Sequence, residues 1–274
     1  MCDWIFIGNV LTITYSNNNF SKGGNIMLKV LINGINGRMG QEVLNQINNS
    51  DEFAICSGVD KYDNNNFDFP IYTDINKIKE FPDVIIDFSI PMASMNILKF
   101  AKEKHIPIVI ATTGFSDNQI SIIQECSKEI PIFRSGNMSY EICIMSDIVS
   151  KLATKLKNSD IEIIETHHKN KIDSPSGTAL ILADSINDAL NNKMNYQYDR
   201  HSISQKRSEN EIGIHSVRGG TEVGKHTVLF LGDNESLEIT HTVTSRSIFA
   251  DGALKAAKFL IEQSNGLYNM KDLI

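Results

Sequence analysis

The stretch Leu28-Lys29-Val30-Leu31-Ile32-Asn33-Gly34-Ile35-Asn36-Gly37-Arg38-Met39-Gly40 decides the fold. Its first six residues are a short apolar run of the kind that forms a buried strand. A glycine-punctuated turn follows, and residues 38 to about 47 carry helical spacing. The glycines fall as GxxGxxG rather than the commoner GxGxxG. At a strand-to-helix turn they let the backbone approach a pyrophosphate, to which the helix start offers free N–H groups and a partial positive charge. The candidate pyrophosphate turn is therefore Gly34-Ile35-Asn36-Gly37-Arg38-Met39-Gly40.

Outward from that turn, strands and helices alternate. Residues 53–59, 83–88, 106–111 and 131–133 read as strands, and residues 92–104 (after Pro91) and 117–129 as helices. Apolar strands separated by helices imply a parallel sheet covered on both faces, a doubly wound α/β arrangement. Asp60 ends the second strand, 20 residues beyond Gly40, where an acid accepts hydrogen bonds from an adenosine ribose. Lys61 beside it can meet a 2′-phosphate instead, so both NADH and NADPH fit. A tight turn with no ligand is the bland alternative. Ala111-Thr112-Thr113-Gly114 and Ser135-Gly136-Asn137-Met138 lie just beyond later strands, where ligands of open α/β sheets bind.

Past Asn137 the pattern changes. Residues 140–157 read as one long helix, 160–166 as a strand and 177–190 as a helix. Three strand-like runs follow at 213–218, 226–231 and 237–244, with glycine turns of the type that joins antiparallel neighbours. Residues around 207–213 read as a loop, and 250–263 as an amphipathic helix. The second half is thus expected to be α+β with a mainly antiparallel sheet.

Composition narrows the classes of function. Of 274 residues 41% are hydrophobic and 22% charged, with a net charge of −7, so a broad basic face for nucleic acid is not expected. Cys2, Cys56, Cys126 and Cys143 form no CxxC pair, which fits a reducing compartment and gives no zinc signature. No metal site is expected, and no apolar run reaches the roughly 18 residues of a membrane span. A cytoplasmic protein follows. Residues 1–26 lack the basic start and cleavage site of a signal peptide, and read as an extension outside the fold.

The second chemical signal is Glu165-Thr166-His167-His168-Lys169-Asn170-Lys171-Ile172-Asp173-Ser174-Pro175-Ser176-Gly177-Thr178. Two histidines end a strand, a lysine follows in the loop, and Ser176-Gly177-Thr178 opens a helix. Helix-start N–H groups and hydroxyls make an anion site, to which Lys171 adds charge. A histidine beside such a site is a proton donor near neutral pH. The pattern points to a carboxylate-bearing substrate that is protonated during reaction. Other polar residues read as structural: His241 as a core or interface histidine, His215 and His226 as packing, Arg218 and Arg246 as ion pairs or anion contacts. Glu162 and Glu165 read as solvated or as standing behind the site.

Taken together, GINGRMG, IDFS, ATTGF, GNMS, EIIETHHKNKIDSPSGTAL, SVRGG and EITHTVTSR followed by FADGA resemble the dihydrodipicolinate reductase family over residues 28–274. The resemblance implies a Rossmann-type nucleotide domain of residues 27–136 with 245–274, and a substrate and tetramerisation domain of residues 137–244. It implies NADH or NADPH on Gly34–Met39, Asp60 and Lys61, with Ala111, Thr112, Thr113, Ser135, Gly136, Asn137 and Met138 near the nicotinamide. By the same resemblance His167 is the general acid/base and Lys171 a second proton donor. His168, Ser176, Gly177 and Thr178 would hold a small dicarboxylate, and the assembly would be a homotetramer. Two departures stand out: Ala111 replaces the first glycine of the usual GTTG, and Met138 replaces a frequent phenylalanine. The rival readings are another reductase on the same architecture and a non-catalytic dinucleotide sensor.

Overall fold

The computed structural model describes residues 27–63 and 67–274 in full, and within residues 1–26 only the backbone of four short strands. The expectation that residues 1–26 stand outside the fold lies outside the described residues.

Seven parallel strands form the first sheet. They are β1 (Leu28–Asn33), β2 (Phe53–Val59), β3 (Ile71–Tyr72), β4 (Val84–Asp87), β5 (Ile108–Ile110), β6 (Pro131–Arg134) and, from the far end of the chain, β12 (Gly266–Tyr268). Their order is β12-β6-β5-β4-β1-β2-β3, so it reverses between β1 and β4, the place where open α/β sheets leave a crevice. Helix α1 (Arg38–Asn48) buries Gly40, Val43, Leu44 and Ile47, one stripe at helical spacing, against one face. Helix α2 (Pro91–Lys104) opens on proline, whose fixed φ suits a first turn, and α3 (Asp117–Cys126) opens on a capping box between Ser116 and Gln119. Both cover the other face, where Ile97, Phe100 and Ile123 meet Leu31 and Ile85.

The alternation of strand and helix read from the sequence is present, and this half is α/β with a parallel sheet. The edge strands β3 and β12 went unread, because two or three residues carry no period.

The chain then leaves this sheet along α4 (Tyr140–Lys155). The second sheet contains β7 (Asp160–His167), β8 (Asn195–Gln197), β9 (Glu211–Arg218), β10 (Gly224–Leu231) and β11 (Ser236–Val243), in the order β8-β9-β7-β10-β11. Helices α4 and α5 (Gly177–Ala189) cover one face with Ile142, Val149, Leu182 and Ile186 against Ile161, Ile163, Val228 and Phe230.

Here the expectation of a mainly antiparallel sheet needs correction. The sheet is mixed: β8, β9 and β7 run parallel, and only the β7–β10 and β10–β11 pairs are antiparallel. Gly219-Gly220 therefore does not join neighbours. The strand β7 lies between β9 and β10, because its alternate residues Ile161 and Ile163 fill the middle of the core.

Helix α6 (Ser247–Leu260) returns to the first sheet. Its Leu254, Ala257 and Leu260 share a core with Val43, Leu44 and Ile47 of α1, and Phe259 meets Phe133 and Tyr268 edge-on at 6.3 and 5.6 Å. Among the described residues no helix is long and apolar enough to cross a membrane.

The return depends on Gly252, where an added Cβ would stand 1.7 Å from the Met138 carbonyl oxygen. Alanine is the better helix former by about 1 kcal/mol, so propensity alone would make Gly252→Ala stabilising. The overlap reverses the sign. Urea unfolding should show Gly252→Ala less stable than the parent by roughly 1–3 kcal/mol, the usual range for overpacking.

Candidate active site

Gly34 sits at φ +85°, and an added Cβ would lie 2.7 Å from the Phe88 carbonyl oxygen. A Cβ on Gly40 would lie 2.2 Å from the Gly34 carbonyl oxygen, so the first and last glycines let the turn pack on itself and on the end of β4. No side chain caps α1, whose first turn carries no acid, so its N–H groups face an anion unopposed. Asp60 accepts from the backbone of Asn36 at 2.8 Å and of Lys61 at 2.7 Å, which ties the acid to the glycine turn. The Lys61 ammonium lies over the Tyr62 ring, 5.2 Å from its centre. Gly34, Gly37, Asp60 and Lys61, with Ser89 and Met92, line a cleft of about 610 Å³. The donor set fits a pyrophosphate and an adenosine ribose.

At the crevice itself stands Asp87, fully buried. It accepts from Asn33 Nδ2 at 2.7 Å, Ser89 Oγ at 2.6 Å, Thr112 Oγ1 at 3.0 Å and Ser94 Oγ. Burial pushes its carboxyl above the usual carboxylate range, against the hydrogen bonds of these neutral donors. Thr112 therefore contributes a buried hydroxyl already engaged by Asp87, while Thr113 is exposed. Ala111 is not at positive φ, so the glycine-to-alanine departure costs no backbone strain. The side chains of Ile35 and Met138 are in the core, which leaves only their backbones at the crevice. The Ser135–Met138 loop folds on itself through Ser135 Oγ, which donates to the Asn137 carbonyl at 2.6 Å. An added Cβ on Gly136 would lie 3.8 Å from Thr113 Cγ2, so the two loops are neighbours.

The second cluster grows from strand parity. Ile161, Ile163, Glu165 and His167 all point to the inner face of β7, so the apolar stripe turns into an acid and a histidine at the strand end. Register supplies the rest. Glu165 pairs with Ser216 of β9 and His226 of β10, and His167 pairs with Arg218. His167 Nδ1 lies 2.5 Å from Glu165 Oε2. Glu165, with 0% exposure, also accepts both Arg218 Nη atoms at 2.7 Å, Ser216 Oγ at 2.6 Å and the Ser176 N–H at 3.1 Å. Ser176 Oγ, 2.9 Å from His226 Nε2, caps α5 by accepting from Ala179 N–H at 3.2 Å.

These contacts set the charges. Burial pushes Glu165 up, but Arg218, Ser216 and His167 overrule it and hold the carboxyl at about 2. Burial lowers His167 and Glu165 opposes that, with a net value below the usual imidazole range. His226 falls to about 3, first by burial and then by the neighbouring His167, so it stays neutral. Lys171 Nζ pairs with both Asp173 oxygens at 2.8 and 2.7 Å.

At the start of α5 the N–H groups of Ser176 and Ala179 have acceptors, while those of Gly177 and Thr178 take none among the described residues. Asn137 Nδ2 donates to Thr178 Oγ1 at 2.8 Å, which joins the Ser135–Met138 loop to this helix start. His167, His168, Lys171, Ser176, Gly177 and Thr178 are thus brought to one end of the second sheet.

Sequence reasoning did not read Ser216, nor the contact between His226 and Ser176. Glu165 was expected to be solvated or to stand behind the site; it is wholly buried against His167, the second of those two roles. Parity with Ile161 and Ile163 was the available signal. His226 does more than pack, since its Nε2 is hydrogen-bonded with Ser176 Oγ at 2.9 Å. Arg218 is an ion pair, one of the two roles expected of it. His241 has its Nδ1 buried without a partner among the described residues, so of its two expected roles, core or interface, the satisfied core one does not hold. Residues 207–213 are not a simple loop: β9 begins at Glu211, and Arg207 pairs with Asp160 and Glu162.

Comparison with known proteins agrees with the sequence motifs. The family described as "Dihydrodipicolinate reductase, N-terminus" matches residues 28–138, and "Dihydrodipicolinate reductase, C-terminus" matches residues 141–274. A 4-hydroxy-tetrahydrodipicolinate reductase of Caldanaerobacter subterraneus is 50% identical over 91% of this chain and 99% of its own. One of Clostridium tetani is 44% identical over 89% and 96% respectively. In fold, the chain is similar to a dipicolinate-bound dihydrodipicolinate reductase from Paenisporosarcina sp. TG-14. That likeness has a TM-score of 0.75 at 24% identity, and covers 91% of this chain and 100% of the other. By sequence over nearly its whole described length, the chain belongs to the dihydrodipicolinate reductase family.

Proposed function

We propose that the chain is an NAD(P)H-dependent reductase acting on 4-hydroxy-tetrahydrodipicolinate in lysine and diaminopimelate biosynthesis. Residues 27–136 with 245–274 hold the nucleotide in this reading, and residues 137–244 hold the substrate. The observation that carries it is the Asn137–Thr178 hydrogen bond of 2.8 Å. It links the crevice end of a nucleotide-type sheet to a helix start with unengaged N–H groups beside a buried histidine.

A bound nicotinamide supplies hydride. The work of this chain is orientation, charge and one proton. Gly34, Gly37 and the start of α1 receive the pyrophosphate, with Asp60 at the ribose. Gly177 and Thr178 N–H, the Thr178 hydroxyl, His168 and the Lys171 ammonium receive the two carboxylates. Hydride addition leaves electron density on the substrate, which His167 quenches by proton donation. Lys171 stabilises the negative charge as it develops and is the second proton source.

NADH and NADPH are both accepted in this reading, since Asp60 suits a free ribose hydroxyl and Lys61 a 2′-phosphate. The assembly is a cytoplasmic homotetramer. Ile164, Val217 and Leu231, which stand exposed on the face of the second sheet turned away from α4 and α5, support that association.

The test is nucleotide oxidation with the dicarboxylate substrate, run with each nucleotide. His167→Gln should lower kcat by roughly 10²–10⁴ while leaving nucleotide affinity intact; near-normal turnover would reject the proton-donor role. Lys171→Ala should lower kcat and raise KM for the substrate together. Lys61→Ala should weaken NADPH by about three- to tenfold and leave NADH nearly unchanged, as expected of one partly solvated charge pair. Equal weakening of both nucleotides would move Lys61 away from the 2′-phosphate.

A further inference from the structure

Glu165 is the buried charged group that proton donation by His167 does not itself use. A carboxylate is stable in that position only if its charge is compensated, and five contacts compensate it: two from Arg218 and one each from Ser216, Ser176 and His167. They come from three parts of the cradle: β9, the start of α5 and the end of β7. Arg218 also donates to the Asp173 carbonyl at 2.8 Å, in the loop whose Asp173 side chain holds Lys171. Ser176 is the cap of α5. One carboxylate therefore sets the strand end, the lysine loop and the helix start relative to one another.

The geometry at His167 is one-sided. Nδ1 faces Glu165, while Nε2 takes no hydrogen bond among the described residues. The residue opposite Nε2 is Gly224, where an added Cβ would lie 3.1 Å away, so the missing side chain keeps that nitrogen approachable. We infer that Glu165, locked by Arg218, is the positioning residue of the reaction: it orients the His167 ring so that Nε2 delivers the proton, and it is the counter-charge of the protonated ring.

In the step, the Nε2–H bond breaks and its electron pair stays on Nε2. The proton joins the substrate atom made electron-rich by hydride addition, and the ring remains protonated at Nδ1 against Glu165. Water restores the proton on Nε2. The inference rests on the reductase reading above.

The charged and titratable groups around the ring are Glu165 on its own strand, Arg218 on β9, neutral His226 on β10, and Lys171 with Asp173 in the loop. Glu165 favours the protonated ring, while Arg218 and Lys171 disfavour it. Removing the Glu165 charge must therefore lower the pH at which His167 loses its proton.

The experiment is the Glu165→Gln variant of the full chain, with two readouts. In steady state, kcat should fall at least about tenfold, the alkaline limb of the kcat profile should move to lower pH by about half a unit or more, and nucleotide affinity should stay within about twofold. By NMR, the His167 ring should titrate at lower pH than in the parent, a measurement that needs no turnover. Glu165→Gln strands Arg218, so the double variant Glu165→Gln/Arg218→Met is measured beside it. Arg218 acts on the ring with the opposite sign, and the double variant should show a smaller shift in the same direction. An amplitude loss with an unmoved limb, or an unmoved ring titration in both variants, overturns the inference. Absence of turnover in the parent would instead overturn the reductase reading, and the NMR titration would still decide the role of Glu165.

Discussion

A carboxylate with no solvent access, held between two guanidinium nitrogens, a hydroxyl, a helix-start N–H and an imidazole, is the contact around which the second half of the molecule is arranged. Its counterpart in the first half is Asp87, equally buried at the end of β4 and ringed by Asn33, Ser89, Ser94 and Thr112. Burial pushes both acids upward, and what differs is the partners that oppose it. Asp87 stays raised, because burial outweighs the hydrogen bonds of its neutral donors. Glu165 is lowered to about 2, because one partner carries a full positive charge. Hydroxyls and amides can hold a buried carboxyl in place; a guanidinium is needed to keep it ionised where water is excluded.

The first sheet was legible because its information is local. Apolar runs of strand length, glycines at a strand-to-helix turn and an acid at the end of β2 are all read within a few residues of one another. The second sheet was legible in its elements and not in its neighbours. Gly219-Gly220 has the composition of a hairpin turn, yet β7 separates the strands it connects, and nothing near residue 219 encodes that. The decision is made by Ile161 and Ile163, whose burial requires a central strand.

The same distinction runs through the cradle. His167, Lys171 and the Ser176–Thr178 helix start lie in one continuous stretch and could be read from it. Arg218, Ser216 and His226 reach Glu165 only through register across three strands, at sequence separations of 53, 51 and 61 residues for their respective places along the chain. Glu165 itself was within reach of parity, since it shares a face with two buried isoleucines. Of the two roles expected of Glu165, solvated or behind the site, that period of two selects the second.

In the proposed reading an acidic chain takes two anionic ligands and has to make its positive potential locally, which it does mainly with backbone. Helix α1 offers an uncapped start, and α5 offers the N–H groups of Gly177 and Thr178. The side-chain cations are few and already occupied: Lys61 rests on the Tyr62 ring, and Lys171 is paired with Asp173. That pairing is asymmetric, with the lysine 19% exposed and the aspartate 62%. A carboxylate arriving at Lys171 can take over the inner partner while Asp173 turns back to water, so the exchange leaves no buried charge unpaired. The Thr178 hydroxyl obeys the same logic. Asn137 Oδ1 accepts from Ser139 N–H at 2.8 Å, which fixes the amide so that Nδ2 donates to Thr178 and the single Thr178 hydrogen remains free to donate outward. The loop at the crevice thus determines which way a hydroxyl in the other sheet's cradle points. In this way the two halves of the chain present one polar surface rather than two.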